Sequence, residues 1–203
     1  MKHDDLPALI DASVKLGVPL SGAQAASLLA FEQLLLERAV PAGMVAKADE
    51  SRLRERHILD CLRAAAVVAP EDRSAYDLGS GAGLPGVVVA VVRPLLEVTL
   101  VETRRQRAAF LELVVERLSL PNAVVAPVRI EEMDALADLC FARALAPLTD
   151  AWAMAERLLR PEGRLVYFAG QGSVALTGSQ AEGADIRTTP VLERSGSLVI
   201  MAR

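Results

Sequence analysis

Residues Tyr76–Gly86 read YDLGSGAGLPG and lie where a β-rich run gives way to a helical one. The four glycines of this segment allow a tight backbone turn and let a ligand approach main-chain amides that a Cβ would shield. A glycine-rich loop between a strand and a helix is typical of proteins that bind nucleotide-like ligands. We therefore place a ligand site at this loop and include Asp77 and Gly81 in it.

A second acidic residue supports this placement. Glu102 follows Gly83 by nineteen positions, at the end of the next predicted strand. A carboxylate there could accept hydrogen bonds from ribose hydroxyls. The alternative is an exposed charge at the end of the strand that pairs with Arg104 or Arg105.

The class of ligand is narrowed by Asp77. A carboxylate two residues before Gly79 would lie beside the pyrophosphate of a dinucleotide, which is unfavourable. It could instead neutralise the ammonium group of S-adenosylmethionine, directly or through a water. The residues thus favour S-adenosylmethionine. Two alternatives stay open, namely that Asp77 only caps the amides of the turn, and that the protein is an NAD-dependent oxidoreductase.

Short β-rich runs alternate with helical runs after residue 73, which is the pattern of a parallel sheet with crossover helices. We predict strands at residues 75–78, 97–101, 123–127, 138–142 and 164–168, and helices at residues 85–92, 105–118 and 148–159. After a loose loop at 170–183, two strands at 186–192 and 197–201 are predicted to pair as a hairpin. The expected fold class is α/β, with a Rossmann-like, mostly parallel sheet and a C-terminal hairpin.

The first 69 residues have a different pattern. Alanine and leucine recur at a spacing of three to four from Leu6 to Val68, which predicts helices only. Ser21 and Ser51 are the expected N-caps of helices at residues 23–38 and 53–66. We therefore divide the chain into an N-terminal helical cap, residues 1–69, and a core domain, residues 70–203.

The composition is that of a chain that folds on its own. Of 203 residues, 52% are hydrophobic, and 22 Lys and Arg stand against 26 Asp and Glu for a net charge of −4. No apolar run reaches the roughly 18–20 residues of a membrane span, and the first residues lack a signal-peptide pattern. A cytoplasmic protein without membrane contact is expected. The acidic balance argues against a protein that coats nucleic acid nonspecifically, and no DNA partner is expected. Cys61, Cys140 and two histidines offer too few ligands for a zinc site, so no metal is expected either.

Several stretches resemble the bacterial 16S rRNA guanine N-7 methyltransferase family, known as RsmG or GidB. They are Arg56-His57-Ile58-Leu59-Asp60, the glycine loop with Arg93-Pro94 after it, Glu102–Leu111, Arg129-Ile130-Glu131-Glu132 and Phe141-Ala142-Arg143-Ala144. Together they span roughly residues 56–170. The Gly-Leu-Pro-Gly end of the loop and the upstream Arg-His-Ile-Leu-Asp motif are much more specific than the glycines alone.

The resemblance implies a class I methyltransferase that binds S-adenosylmethionine. The residues that it assigns to the donor are Gly79 and Leu84 in the loop, Glu102, the Ile130–Glu131 pair beside the adenine, and Arg143. In the family the methyl group goes to N-7 of guanine 527 in the 530 loop of 16S ribosomal RNA. The implied partner is therefore 16S rRNA or the small ribosomal subunit, and we expect a monomer. N-7 of guanine is an unprotonated lone pair, so its attack on the methyl group requires no general base, and no catalytic residue is assigned.

Local cations would have to hold the RNA. We expect contacts from Arg56 and His57 in the motif and from Arg104 and Arg107 beyond Glu102. For the helix that carries the motif, the alternative is a solvated face of mixed charge. Arg143 could orient the donor or contact the RNA, and its alternative is an ion pair with Glu131 or Glu132.

The chain departs from the family pattern where RNA recognition is expected. Residues 34–49 contain neither the Trp nor the Asn of the family, Cys61 replaces a serine, a Lys-Arg pair reads Gln106-Arg107, and a late Lys-Gly reads Ala169-Gly170. These departures motivate two further hypotheses: a noncatalytic ribosome-associated module of the same fold, and a methyltransferase that acts on another substrate.

Overall fold

The computed structural model describes residues 5–170, 184–188, 192 and 195–203. Its strands are β1 Ser74–Leu78, β2 Glu97–Val101, β3 Ala123–Ala126, β4 Ala137–Arg143, β5 Leu159–Phe168, β6 Asp185–Arg187 and β7 Leu198–Ala202. They form one sheet of order β3-β2-β1-β4-β5-β7-β6. The first five strands pair in parallel, and β7 pairs antiparallel with both β5 and β6.

The α-helices are α1 Asp5–Lys15, α2 Gly22–Leu34, α3 Asp60–Ala65, α4 Gly86–Val92, α5 Arg105–Arg117 and α6 Leu148–Glu156. Two π-helical turns, Leu35–Ala39 and Arg54–Leu59, and two 3-10 turns, Lys47–Arg52 and Ile130–Glu132, complete the helical segments. In the part of the chain that the structure describes, no helix is long and apolar enough to cross a membrane.

The predicted architecture is confirmed: a mostly parallel, Rossmann-like sheet follows a helical N-terminal region, and the last two strands pair antiparallel. Helix α6 ends three residues before the predicted position, because Leu159 already pairs with Ala137 at the start of β5. The predicted strand at 186–192 is too long, since β6 ends at Arg187. Residues 189–191 and nearly all of the predicted loop at 170–183 lie outside the described residues.

One of the two predicted helix caps is confirmed. The Ser21 hydroxyl accepts a hydrogen bond from the Gln24 amide at 3.2 Å, and the Gln24 side chain accepts one from the Ser21 amide at 2.9 Å. This reciprocal pair is a capping box. The prediction for Ser51 is wrong, because Ser51 lies inside the 3-10 turn, which runs through Leu53 directly into the π-helical turn and leaves no helix start for it to cap.

The sheet separates two hydrophobic layers. Along β4, Leu139 and Phe141 pack with α4, α5 and the N-terminal helices, whereas Cys140 and Ala142 pack with α6 on the other face. Alternate residues of a strand point to opposite faces, and both faces of this strand are buried, as expected for the centre of a parallel sheet. The carboxyl ends of β1, β2 and β4 are thereby held at one edge of the sheet.

The N-terminal helices are joined to the sheet domain at the C-terminal end of α4. The Gln24 side chain of α2 donates to the carbonyls of Val91 and Val92 at 3.3 and 3.1 Å, and Arg93 donates to the carbonyl of Ala65 at 2.9 Å. Ala65, Val91 and Val92 belong to one continuous hydrophobic cluster that also includes residues of the strands. The domain boundary at residue 69 stays a prediction.

The segment before β1 is fixed by Asp138. Its carboxylate accepts hydrogen bonds from the amides of Arg73 and Ser74 at 2.8 and 2.9 Å, from the Ser74 hydroxyl at 3.1 Å, and from the Arg160 guanidinium at 2.8 Å. Partial burial alone would raise the pKa of Asp138, but these four hydrogen bonds hold it below its ordinary value. The carboxylate therefore stabilises the folded chain in its charged form.

Replacing Asp138 with alanine is expected to lower the free energy of unfolding by about 2 kcal/mol at neutral pH, because two strand-entry amides lose their acceptor. The native pKa lies below the unfolded one, so this contribution is present above the unfolded pKa and is lost as the pH falls through the native pKa. Urea denaturation of both proteins at about pH 7 and about pH 2 measures it. An equal difference at the two pH values would contradict the assignment.

Candidate functional site

Two cavities open at the edge where the parallel strands end. The larger, of about 930 Å³, is lined by the N-terminal helical region on one side and by the glycine loop and the ends of β4 and β5 on the other. The smaller, of about 460 Å³, lies beside the end of β2. They share Gly79, Arg107 and Ala144 as lining residues. Ligands of open α/β sheets bind outside the carboxyl ends of the strands where the strand order reverses, which here is at β1, between β2 and β4.

The structure brings most of the predicted donor residues to these cavities. Gly79, Gly81, Leu84 and Arg143 line the larger cavity, and Gly79, Glu102, Ile130 and Glu131 line the smaller one. The smaller cavity is also lined by Val101, Val128, Leu145 and Met154. These apolar side chains beside the carboxylates of Glu102 and Glu131 suit a nucleoside, whose base is flat and whose sugar carries hydroxyl donors. Three arginines, Arg104, Arg107 and Arg129, line the same cavity.

Asp77 lines neither cavity. It is buried, and its Oδ2 accepts hydrogen bonds from the Ser80 hydroxyl and from the Gly86 amide, the latter at 3.0 Å. Burial raises the pKa of Asp77 to about 6, although both hydrogen bonds lower it. Its contacts are those of the capping alternative rather than of a ligand contact, so Asp77 shapes the loop from behind. A Cβ on Gly86 would lie 2.6 Å from Asp77 Oδ2, which explains the glycine there.

Glu102 connects the end of β2 to the loop. Its Oε2 accepts a hydrogen bond from the Gly81 amide at 3.0 Å, and its Oε1 accepts one from the Arg104 amide at 2.8 Å. Glu102 is only 5% exposed and lines the smaller cavity. The alternative of an exposed charge paired with the side chain of Arg104 or Arg105 is therefore wrong. The one cation near its carboxylate is Arg107, with Nη1 3.8 Å from Oε2, among the described residues.

Arg143, at the end of β4, contacts residues of the N-terminal helical cap. Its Nη2 lies 2.8 Å from His57 Nδ1 and 3.3 Å from the carbonyl oxygen of Arg56, and 3.7 Å from Asp60 Oδ2. Its guanidinium carbon lies 5.8 Å from the centre of the Phe168 ring, a cation–π distance. The alternative of an ion pair with Glu131 or Glu132 is wrong, because the acids near Arg143 come from the N-terminal region instead.

His57 lies between the carboxylate of Asp49 and the guanidinium of Arg143. An arginine can only donate, so His57 Nδ1 accepts from Arg143 and Nε2 carries the proton that it donates to Asp49 Oδ2 at 3.1 Å. Burial lowers the pKa of His57, and the charge of Arg143 lowers it further, against the opposing effect of Asp49. The imidazole is therefore neutral at neutral pH, in one tautomer.

The four residues predicted to contact RNA have different surroundings. Arg56 and Arg104 are exposed, and Arg107 is half-buried between the two cavities. Arg56 Nε also lies 3.2 Å from Asp49 Oδ1. His57 is buried and both of its ring nitrogens are engaged, so its contacts are those of a positioning residue and not of an RNA contact.

Sequence reasoning missed several residues of the larger cavity. Lys15 reaches it from the helical cap, and Tyr167 and Phe168 reach it from the end of β5. The sequence shows Asp49 and Asp60 among basic residues, but no spacing rule predicts that they lie against His57 and Arg143. The motif that contains Asp60 was the one available signal. Within the described ranges, no group of three or more His, Cys, Asp or Glu is placed to hold a metal ion.

Comparison with solved structures identifies the fold. A SAM-dependent methyltransferase from Aquifex aeolicus superposes with a TM-score of 0.60 at 15% identity, over 80% of this chain and 98% of that one. A mutant of MtNAS in complex with S-adenosylmethionine superposes with a TM-score of 0.57 at 19% identity, over 97% of this chain and 77% of that one. The fold is thus the class I, Rossmann-like fold of S-adenosylmethionine-dependent methyltransferases.

Comparison of sequences identifies the family. The family model described as rRNA small subunit methyltransferase G matches residues 24–183. Proteins named ribosomal RNA small subunit methyltransferase G are 40% identical over 161 residues in Acidiphilium cryptum, 41% over 147 in Thermobifida fusca and 37% over 175 in Leptothrix cholodnii. These matches cover 78%, 71% and 82% of this chain, and 74%, 62% and 79% of the relatives. The family named by the sequence resemblance is confirmed: the chain belongs to the rRNA small subunit methyltransferase G family.

Proposed function

We propose that this protein transfers a methyl group from S-adenosylmethionine to N-7 of guanine 527 in the 530 loop of 16S ribosomal RNA. The observation that carries the proposal is the pair of neighbouring cavities, which share Gly79, Arg107 and Ala144 as lining residues. The smaller one has the walls of a nucleoside site, and the larger one is bordered by Arg143 and by exposed cations of the helical cap. Family membership supports the reaction, since the relatives are named as small subunit rRNA methyltransferases.

The donor would occupy both cavities around Gly79. Glu102 would accept hydrogen bonds from the ribose, the Ile130–Glu131 turn would border the adenine, and Arg143 would face the amino-acid part from the larger cavity. Gly81 supports this assignment, because it lines the larger cavity and a Cβ built on it would meet no atom closer than 3.8 Å. Space in front of a loop amide is what a bound ligand requires.

S-adenosylmethionine supplies an electrophilic methyl group on a sulfonium. Neither His57 nor Asp77 is a free base: His57 has both nitrogens engaged, and Asp77 is hydrogen-bonded behind the loop. This suits N-7 of guanine, whose lone pair carries no proton to remove. The protein's contribution is therefore to hold a guanine base at attack distance and to exclude water from it.

RNA would approach across the mouth of the larger cavity. The cations there are Lys15, Arg52, Arg56 and Arg107, and Arg104 lies beside the smaller cavity. Lys15, Arg52 and Arg104 form no ion pair with the described residues, so their charge is available to phosphate oxygens. This local patch reconciles RNA binding with a net charge of −4.

Replacing Arg104 or Arg52 with glutamine is expected to weaken rRNA binding and to reduce the slope of log K against log salt by about one for each phosphate that is no longer neutralised. The matched control is Arg38→Gln, which removes an exposed positive charge that lines neither cavity. Filter binding over a range of KCl concentrations measures the slopes. Equal slopes for the control and for the two variants would place the RNA elsewhere.

The reaction is tested by incubating the protein with radiolabelled S-adenosylmethionine and small-subunit rRNA from cells that lack this methylation, both naked and as assembled particles. Label on N-7 of guanine 527 would establish the proposed function. Label on another base or on a small molecule would assign a different substrate. Binding of S-adenosylhomocysteine without any labelled product would favour the noncatalytic ribosome-associated module, and thermal stabilisation by NAD alone would favour an oxidoreductase.

A further inference from the structure

We propose that His57 is a positioning residue for the donor site: backed by Asp49, it fixes one nitrogen of Arg143 so that the rest of the guanidinium is presented to an anionic group of the ligand. The inference rests on the proposed function, since it takes the larger cavity as the place of the donor's amino-acid part. It adds a link between the helical cap and the site, because His57 and Asp49 belong to the cap and Arg143 ends β4.

The hydrogen bonds of Arg143 are confined to one of its nitrogens. The contacts to His57 Nδ1, at 2.8 Å, and to the carbonyl of Arg56, at 3.3 Å, both use Nη2. Nε and Nη1 have no acceptor among the described residues, while the side chain is 18% exposed and lines the larger cavity. Nη1 carries two N–H donors, so it can bind a carboxylate oxygen of the ligand through charge-assisted hydrogen bonds.

The contact to His57 is what keeps Arg143 from turning toward an acid. Asp60 Oδ2 lies 3.7 Å from Nη2, beyond hydrogen-bond distance, and Asp60 Oδ1 lies 2.7 Å from Nη2 of the buried Arg63. If His57 no longer accepted, a small rotation would bring Arg143 onto Asp60 and away from the ligand. Phe168 permits such a rotation, because a ring face contacts a guanidinium in many orientations.

The imidazole can serve as an acceptor only while it is neutral. The charged groups that face it are Asp49 from the 3-10 turn, Arg56 from its own turn and Arg143 from β4. A second proton would go to Nδ1, replace the acceptor with a donor and place a cation against Arg143. Burial and Arg143 both lower the pKa of His57, which favours the neutral form. The pKa of Asp77 is raised to about 6, so an experiment must distinguish the pH dependence due to Asp77 from that due to His57.

The test compares His57→Leu, His57→Asn and the wild type by calorimetric titration with S-adenosylhomocysteine between about pH 5.5 and about pH 8. Leucine removes the acceptor, and we expect binding weakened by about tenfold at neutral pH. The asparagine amide oxygen replaces Nδ1 without titrating, so this variant should bind within about threefold of the wild type at neutral pH. It should also lose the part of the acid-side decline that His57 contributes, while the part due to Asp77 persists in all three proteins.

Asp138→Asn is the control for destabilisation, because it alters a partly buried acceptor on the opposite edge of the sheet from the cavities. The folded Asp138→Asn protein should bind S-adenosylhomocysteine with the same affinity as the wild type. Equal ligand affinity for His57→Leu and the wild type would overturn the inference. So would a His57→Asn variant that binds the ligand as weakly as His57→Leu, or one whose affinity declines at acidic pH as much as that of the wild type. Absence of binding by the wild type would instead overturn the proposed donor, so the two failures are distinguishable.

Discussion

Replacing Gly81 with valine is expected to abolish binding of S-adenosylmethionine while leaving the protein folded. Gly81 has φ +59° and lines the larger cavity, and a Cβ built on it would meet no atom closer than 3.8 Å, the Gly79 oxygen, and then Arg107 Nη1 at 3.9 Å. A Cβ therefore meets no clash there, but the added side chain would take space that the ligand requires beside the loop. Calorimetric titration with S-adenosylhomocysteine measures the loss.

The matched control is Gly17→Val. Gly17 has φ +72°, and a Cβ built on it would meet no atom within 4 Å, so the substitution imposes a similar backbone strain between α1 and α2. A left-handed conformation costs a non-glycine residue about 1–2 kcal/mol, and thermal unfolding should show a comparable loss of stability in both variants. Only the Gly81 variant should lose the ligand. Normal affinity in that variant would remove the glycine loop from the donor site.

The parallel sheet and its ligand edge were predictable because their signals are local. Alternation of β-rich and helical runs fixes a parallel sheet, and the glycines after β1 follow from the need for a tight turn at the strand end. Glu102 could be placed for the same reason, since β2 must end beside β1. The topology then puts residues 79–84, 102, 130–131 and 143 at one edge without any knowledge of side chains.

The interactions around Arg143 could not be predicted from the sequence. They join Asp49, His57 and Asp60 of the helical cap to the end of β4, and their geometry depends on how α3 packs against α4. The same limit explains why His57 was wrongly predicted to contact RNA. It lies among cations in the sequence, but in the structure it is buried between Asp49 and Arg143. Along the π-helical turn the side chains become buried at His57 and stay buried to Leu59, and this pattern has no helical period that a sequence would show.

Replacing Glu102 with alanine is expected to weaken donor binding by about 1–3 kcal/mol, roughly a 5- to 150-fold rise in Kd. Two causes contribute. The carboxylate would accept hydrogen bonds from the ribose in the smaller cavity, and it also accepts bonds from the amides of Gly81 and Arg104 that hold the loop in place. A carboxylate has about four lone-pair sites, so it can serve the loop and the ribose together.

A ligand without the ribose 2′-hydroxyl separates these causes. If Glu102 accepts from the ribose, the 2′-deoxy analogue of S-adenosylhomocysteine should bind the wild type about tenfold more weakly than the parent compound, whereas the alanine variant should barely distinguish the two ligands. If Glu102 only anchors the loop, the variant should bind both ligands more weakly by the same factor. A double-mutant cycle built from the four dissociation constants therefore gives a coupling energy near zero in the second case and of about 1 kcal/mol or more in the first. The coupling, rather than the loss of affinity alone, decides whether Glu102 touches the donor.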